Sequence, residues 1–376
     1  MKLPESEYKE RIKKIRYLMV QRKLDALLIY SPSAENAGYV SGYFRGSRFQ
    51  EVIIPMEGNL SLIVVPGMLN SSVMEAKNES WIEDVKGVPY RQWGVDYVKH
   101  TKETLEERGL LEAKIGVSGI ELMSKTLYEH FIEKLPKVKF EDSRGLVEKV
   151  RFIKSSREIE LIKEACRLTD LGIEALMEGA KTGRSVAETV AEAEYIAKRA
   201  GAEETSCPLS AGMPWIWGNP PPDRVFKVGD MFATEFNARY RGYQGQVART
   251  CVIGKATEEQ MKIYETVQEA SEKMTEIVKP GVTGEELWQI GFDVIDKAGY
   301  KWSGIRYGHG MGLTGAEGID LAPGDKNELK TGCYLMVHPH LFIPETANGA
   351  MIGDPLLVTE TGYDRLCTYK KVFEYE

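Results

Sequence analysis

The chain has 376 residues, of which 43% are hydrophobic and 28% charged, with a net charge of −7. That length exceeds what one hydrophobic core usually organises, so two domains are expected. No stretch approaches the ~20 apolar residues that cross a bilayer, and interspersed charges of both signs leave no basic stripe for nucleic acid. From the N-terminus, a charged helical pattern over residues 5–23 lacks the apolar core of a secretory signal, which predicts a cytoplasmic protein. The apolar run DALLIY, a turn-rich SPSAENAG and the short strands EVIIP and LSLIVVP follow, an alternation typical of a small α/β domain. After VKFED the pattern turns to helix starts, which divides the chain into domains at 1–145 and 146–376.

The second part holds an internal repeat. Lys181-Thr-Gly183-Arg-Ser185-Val-Ala-Glu188 recurs 98 residues later as Lys279-Pro-Gly281-Val-Thr283-Gly-Glu-Glu286, and each copy runs on to an Ala-Gly pair. Ser185 with Glu188, and Thr283 with Glu286, have the spacing of capping boxes, so each copy starts a helix of about four turns that ends at glycine. Between and after these helices lie four strand-like runs, MFATEFNARY, GQVARTCVIG, CYLMVHPHLFIP and MIGDPLLVTE, flanked by Gly-Tyr, Asn-Gly and Thr-Gly turns. The five cysteines (Cys166, Cys207, Cys251, Cys333, Cys367) are odd in number and widely spaced, and are expected to be buried fillers rather than a disulfide framework or zinc knuckle.

Three of the five histidines fall at His309, His338 and His340. Glycines flank His309 and let its backbone and imidazole approach a ligand closely. His338 and His340 are two apart on one predicted strand, so they are expected to leave the same face and converge.

Specific frames now carry a resemblance over nearly the whole chain: Gly-Asp230-Met, Glu235, Asn237, Arg239-Tyr-Arg-Gly242-Tyr243, Arg249-Thr250, Gly308-His309-Gly310-Met-Gly312, Pro323-Gly324-Asp325 and Ile352-Gly-Asp354. They resemble the pita-bread hydrolases, a family that includes creatinase, prolidase, aminopeptidase P and methionine aminopeptidase. The resemblance implies a creatinase-like N-terminal α/β domain followed by a pseudo-twofold α/β/α catalytic domain, and a homodimer. Metal-dependent members supply two Asp, one His and two Glu to a pair of ions. In this chain those positions read Glu235, Gln246, His309, His338 and Gly353, and a substrate-facing histidine of the peptidases is replaced by Ala316. Two neighbouring cations need several anionic oxygens between them, so a dinuclear site and ordinary Xaa-Pro cleavage are not expected. Creatinase-like chemistry does not carry over directly either, because Gly218, Ala248 and Ile352 stand at the creatinase catalytic positions.

The expectation is therefore a metal-independent hydrolase of a carbon–nitrogen bond in a small carboxylate-bearing non-peptide, similar to creatinase or ectoine hydrolase, with no cofactor. Glu235 would act as nucleophile or base, with His309 and His338 as acid/base partners. A purely structural ion pair of Glu235 with Arg239 or Arg249 is the plain alternative. Asn237, Gln246, His340 and Glu317 are candidate substrate contacts. Trp217 and Asn219 join them from the Trp- and Pro-rich loop, as does Arg48, the better match to an arginine that reaches a substrate carboxylate across a dimer. Three other readings remain open: a single divalent ion held by His309, His338, His340 and Glu235, a metal-dependent Xaa-Pro dipeptidase or aminopeptidase, and a non-catalytic small-molecule-binding homologue.

Overall fold

The computed structural model describes residues 3–33, 35–44, 49–65, 69–88, 95–212, 218, 223–370 and 373–375. They form two compact units, Met1–Arg151 and Phe152–Glu376. No helix among the described residues is long and apolar enough to cross a membrane.

In the first unit, α1 (Glu5–Gln21) buries Tyr8, Ile12, Ile15 and Met19, the one-sided spacing of an amphipathic helix. β1 (Ala26–Ser31), which takes in the ALLIY part of the DALLIY run, is buried at every position. α2 (Glu35–Ser41) follows where turn residues predicted a loop. The Asn36 amide donates to Glu148 at 2.7 Å and its oxygen accepts from Arg151, so tertiary partners override the local turn preference. β2 (Phe49–Pro55), β3 (Ser61–Val65), α3 (Leu69–Glu79), β4 (Asp84–Gly87), α4 (Val95–Glu107), β5 (Lys114–Ser118), α5 (Lys125–Lys134), β6 (Lys139–Asp142) and α6 (Leu146–Arg151) complete it. The sheet runs β4-β3-β2-β1-β5-β6, antiparallel through β3-β2-β1 and parallel at both flanks.

The second unit runs a helix pair and then strands, twice. α7 (Ser156–Gly179) and α8 (Val186–Arg199) precede β7 (Glu204–Ser206), β8 (Leu209–Ala211), β9 (Met231–Tyr240) and β10 (Tyr243–Ile253). α9 (Glu258–Glu276) and α10 (Gly284–Lys297) precede β11 (Gly308–Gly310), β12 (Tyr334–Val337), β13 (His340–Ile343), β14 (Asn348–Met351), β15 (Asp354–Val358), β16 (Tyr363–Arg365) and β17 (Glu374–Tyr375). The two repeated sequences open α8 and α10 as their caps predict: Ser185 accepts from the Glu188 N–H, and Thr283 and Glu286 close a reciprocal box.

Close packing sets the position of the long β9–β10 hairpin. A Cβ at Gly172 would fall 2.1 Å from the Phe236 ring, and one at Gly245 would fall 2.6 Å from the Ala165 carbonyl oxygen. α7 therefore rests directly on the hairpin, and Phe236 points to it. Alternation along the strand sends Glu235 and Asn237 to the other face. The second half is sewn to the first through the Ala248–Gly353 bridge and a buried ion pair, Arg249 Nη2 to Asp354 Oδ1 at 2.7 Å. Arg249 also donates to the carbonyls of Gly353 and Ala248, at 2.7 and 2.8 Å, so both of its Nη groups are engaged while Nε is buried without a partner.

Candidate active site

β9 and β10 pair antiparallel with Glu235 opposite Ala248 and Asn237 opposite Gln246. Directly opposed residues share a face, so Glu235, Asn237, Gln244 and Gln246 form one polar patch on the side away from α7. The Gln244 amide donates to the Asn237 oxygen at 2.7 Å, and Gln246 hydrogen-bonds the Glu235 carboxylate. Gln246 Oε1 is buried with no partner. Arg249 pairs with Asp354 and Arg239 with Glu204 at 3.4 Å, so the plain alternative for Glu235, an ion pair with either arginine, is not the arrangement found.

His309 enters from β11, paired with β12. Its flanking glycines answer to the backbone rather than to a ligand: a Cβ at Gly308 would lie 2.2 Å from the Met336 carbonyl oxygen, and one at Gly310 would lie 1.8 Å from that of Glu317. His338 follows the end of β12, and its ring centroid is 5.1 Å from that of His309, at 70°. Its Nδ1 is 3.7 Å from Glu235 Oε1, too long for a hydrogen bond. Both of its ring nitrogens are buried without a partner.

His340 behaves differently, which corrects the expectation of one continuous strand. Pro339 cannot donate to a ladder and ends β12; the chain restarts as β13, which pairs with β14 in another sheet. His340 Nε2 is engaged by the Ser303 hydroxyl at 2.9 Å, and its ring packs against Tyr307 and Phe342. Glu317 is likewise committed to the framework. Oε1 accepts from the N–H groups of Leu313 and Thr314 at 2.7 and 3.0 Å, and Oε2 from the buried Lys154 ammonium at 2.8 Å. Arg48, Trp217 and Asn219 lie outside the described residues.

Arg306 was absent from the candidate set although it stands three residues before His309. Its guanidinium pairs with Asp320 and donates to the Gly315 carbonyl at 3.1 Å. It lies close enough to act on the whole cluster. Burial pushes the Glu235 carboxyl up to about 7, against the opposing pull of Gln246 and Arg306. Burial, then Arg306, pushes His309 down to about 4. Burial, reinforced by His309, His340 and Arg306, holds His338 well below the usual histidine range. The imidazoles are thus neutral at pH 7 and keep free lone pairs.

The five-residue set that would hold a metal pair does not fit this site. A side chain at Gly353 has no room: its Cβ would lie 2.1 Å from the Val337 carbonyl oxygen and 2.6 Å from His338 Cα. Gln246 offers a neutral amide where a second carboxylate would stand. Among the described residues no three His, Cys, Asp or Glu side chains are placed to hold a metal ion.

Residues 160–360 match metallopeptidase family M24, and residues 11–153 match the creatinase/prolidase N-terminal domain. The chain is 30% identical over 362 residues to the Xaa-Pro dipeptidase of Pyrococcus furiosus, covering 95% of this chain and 97% of that protein. It is 29% identical to the Xaa-Pro dipeptidase of Pyrococcus horikoshii, over 95% and 96%. The crystal structure of the prolidase from Pyrococcus horikoshii OT3 superposes with a TM-score of 0.83 at 29% identity, over 96% and 99% of the two chains. The expected fold, a creatinase-like N-terminal domain with a pita-bread domain, is the observed one. The protein is a hydrolase acting on carbon–nitrogen bonds, related to the Xaa-Pro peptidases. The same likenesses correct two expectations. A metal-independent hydrolase of a non-peptide is overturned by relatives that are dipeptidases along nearly the full length, and the absence of a cofactor by a match to a metallopeptidase family.

Proposed function

Because the chain belongs to metallopeptidase family M24, we propose that it is a divalent-ion-dependent dipeptidase of the Xaa-Pro type, with Glu235, His309 and His338 at the reaction centre. The observation that supports this reading most is the convergence of those three side chains, from β9, β11 and the β12–β13 junction, within a chain similar to Xaa-Pro dipeptidases over 95% of its length. A divalent ion, when bound, supplies Lewis-acid polarisation of the scissile carbonyl. The protein's own groups prepare the site for it. Gln246 donates to Glu235, leaving Oε1 free to accept from the substrate's N-terminal ammonium group. Asn237, oriented by Gln244, presents a second neutral polar group that does not titrate. Gly315 lies beside His309, where a Cβ would stand 3.5 Å from Cε1, in ordinary van der Waals contact with the ring edge.

A cytoplasmic homodimer belongs to this proposal. Five free, buried cysteines suit a reducing compartment, and the family resemblance supports the dimer, which light scattering on the purified protein tests. The activity test is hydrolysis of Xaa-Pro and Xaa-Ala dipeptides with and without added manganese, cobalt or zinc. Ion-dependent cleavage of Xaa-Pro is expected. Cleavage indifferent to chelator, or none of any dipeptide, would overturn the reading.

A further inference from the structure

We propose that Arg306 restricts this site to dipeptides: its guanidinium takes the substrate's C-terminal carboxylate, and Asp320 holds it in the resting state until that carboxylate displaces it. The inference deepens the dipeptidase reading and rests on it for the identity of the site, but a binding readout tests it without turnover.

Three observations carry it. First, Arg306 borders the reaction centre. Its Nη2 donates to the Gly315 carbonyl at 3.1 Å, and a Cβ at Gly315 would stand 3.5 Å from His309 Cε1 and 3.9 Å from Gln244 Oε1. Its charge acts on Glu235, His309 and His338 alike. Second, the two ends of a dipeptide find opposite partners one substrate length apart. Gln246 Oε1, buried without a partner, accepts from the ammonium at one end, and Arg306 stands on the Gln244 side at the other. Gln244 and Gln246 are two residues apart on β10, a rise of about 6.8 Å, and an extended dipeptide spans at most about 7 Å. A third residue has no length left to occupy before the guanidinium.

Third, the pairing of Arg306 is one that exchanges. The Arg306 and Asp320 side chains are 33% and 48% exposed, and a solvent-exposed ion pair is worth little. Among the described residues the guanidinium uses two of its five N–H groups, on Asp320 and Gly315, so the fork keeps donors for a carboxylate. Neighbouring cations are committed elsewhere: Arg249 to Asp354, Arg239 to Glu204 and the Leu313 carbonyl, and Lys154 to Glu317 in the interior. The Asp320 backbone N–H is held by Asp325 at 2.8 Å, so the loop keeps its place when the Asp320 side chain gives way.

The experiment compares Ala-Pro with its C-terminal amide and with Ala-Pro-Ala, using the full chain with added manganese, cobalt or zinc. Wild type is expected to favour the dipeptide in kcat/KM by at least about a hundredfold. R306M should raise KM for Ala-Pro by about twentyfold or more, change kcat far less, and shrink the preference over the amide to within about threefold, with R306K recovering part of it. D320N should lower KM by about two- to fivefold, because the resting competitor is gone. Circular dichroism and melting curves verify that each variant is folded; R306Q serves if R306M is not. Equal cleavage of acid and amide, or a preference that survives in R306M, would overturn the inference and leave the hydrolase standing. An unchanged or higher KM in D320N would overturn the exchange. If no dipeptide is cleaved, the hydrolase reading fails and calorimetric titration with Ala-Pro decides the anchor alone. Binding of the acid but not the amide, lost in R306M, supports it; equal binding of both, or none, overturns it.

Discussion

Each unit of the molecule buries a carboxylic acid in the middle of a sheet, and the two have opposite surroundings. Glu51, on β2 of the first unit, is fully buried, and desolvation pushes its pKa up to about 8. Tyr97 and Thr101 hydrogen-bond its two oxygens, the latter at 2.9 Å. Glu235, on β9, is raised by the same physics to about 7, but it faces His338, whose nitrogens have no partner. A raised pKa alone would mark both as functional. Satisfaction separates them: the first carboxyl closes its own network, whereas the second lies beside a histidine whose two ring nitrogens are buried without a partner.

Four measurements sharpen or break that contrast. The largest effect is expected in catalysis, where H309A should lower kcat/KM for the cleaved dipeptide at least a hundredfold while E51Q stays within about twofold. Equal losses would erase the distinction between the two acids.

Next comes a buried charge that is paired. K154M strands Glu317 in the interior and should cost about 3–5 kcal/mol in denaturant unfolding, because the Lys154 ammonium holds the carboxylate that in turn holds the Leu313 and Thr314 amides. A loss under 1 kcal/mol would mean that the loop is held by other contacts.

The third measurement is the pH dependence of stability in the metal-free protein. A carboxyl whose folded pKa is raised binds more protons when folded. Stability is therefore greatest below the ordinary carboxylate range and falls as pH rises, to about 7 for Glu235 and about 8 for Glu51. E51Q and E235Q should each remove part of that slope, on the order of 2–3 kcal/mol at pH 8. His309 works in the other direction. Its depressed pKa contributes stability that is lost as pH falls from about 6.5 through about 4. The smallest effect is expected for H340N, which removes one hydrogen bond to Ser303 and should cost about 1 kcal/mol and change kcat/KM by less than threefold.

Much of this was legible in the sequence because it rests on local rules. The caps at Ser185 and Thr283 and the hairpin of β9 and β10 follow from spacing alone, and period-two alternation puts Glu235 and Asn237 on one face. The family frames brought His309 and His338 to the same place. Local rules failed where non-local backbone decides. Pro339 was in plain view, yet the run from Cys333 to Pro344 has uniform apolar character, and only the different pairing of β12 and β13 sends His340 to Ser303 instead of into the site. Glu317 looked like a free carboxylate because its partners, Lys154 and two loop amides, are distant in sequence or hidden in the backbone. Arg306 carried one signal, its adjacency to His309, which composition could not separate from the other arginines.

The glycine at position 353 makes the present constellation a ratchet. Reintroducing an acid there drives a Cβ into the Val337 carbonyl, which belongs to the main chain and cannot swing away as a side chain would. Exchanging His338 for glutamate does not relieve that contact, so no single substitution supplies the five-ligand set that the family frame implies, and even the double change must first reshape the junction around Pro339. Design toward a two-ion enzyme would have to begin with the course of the backbone there.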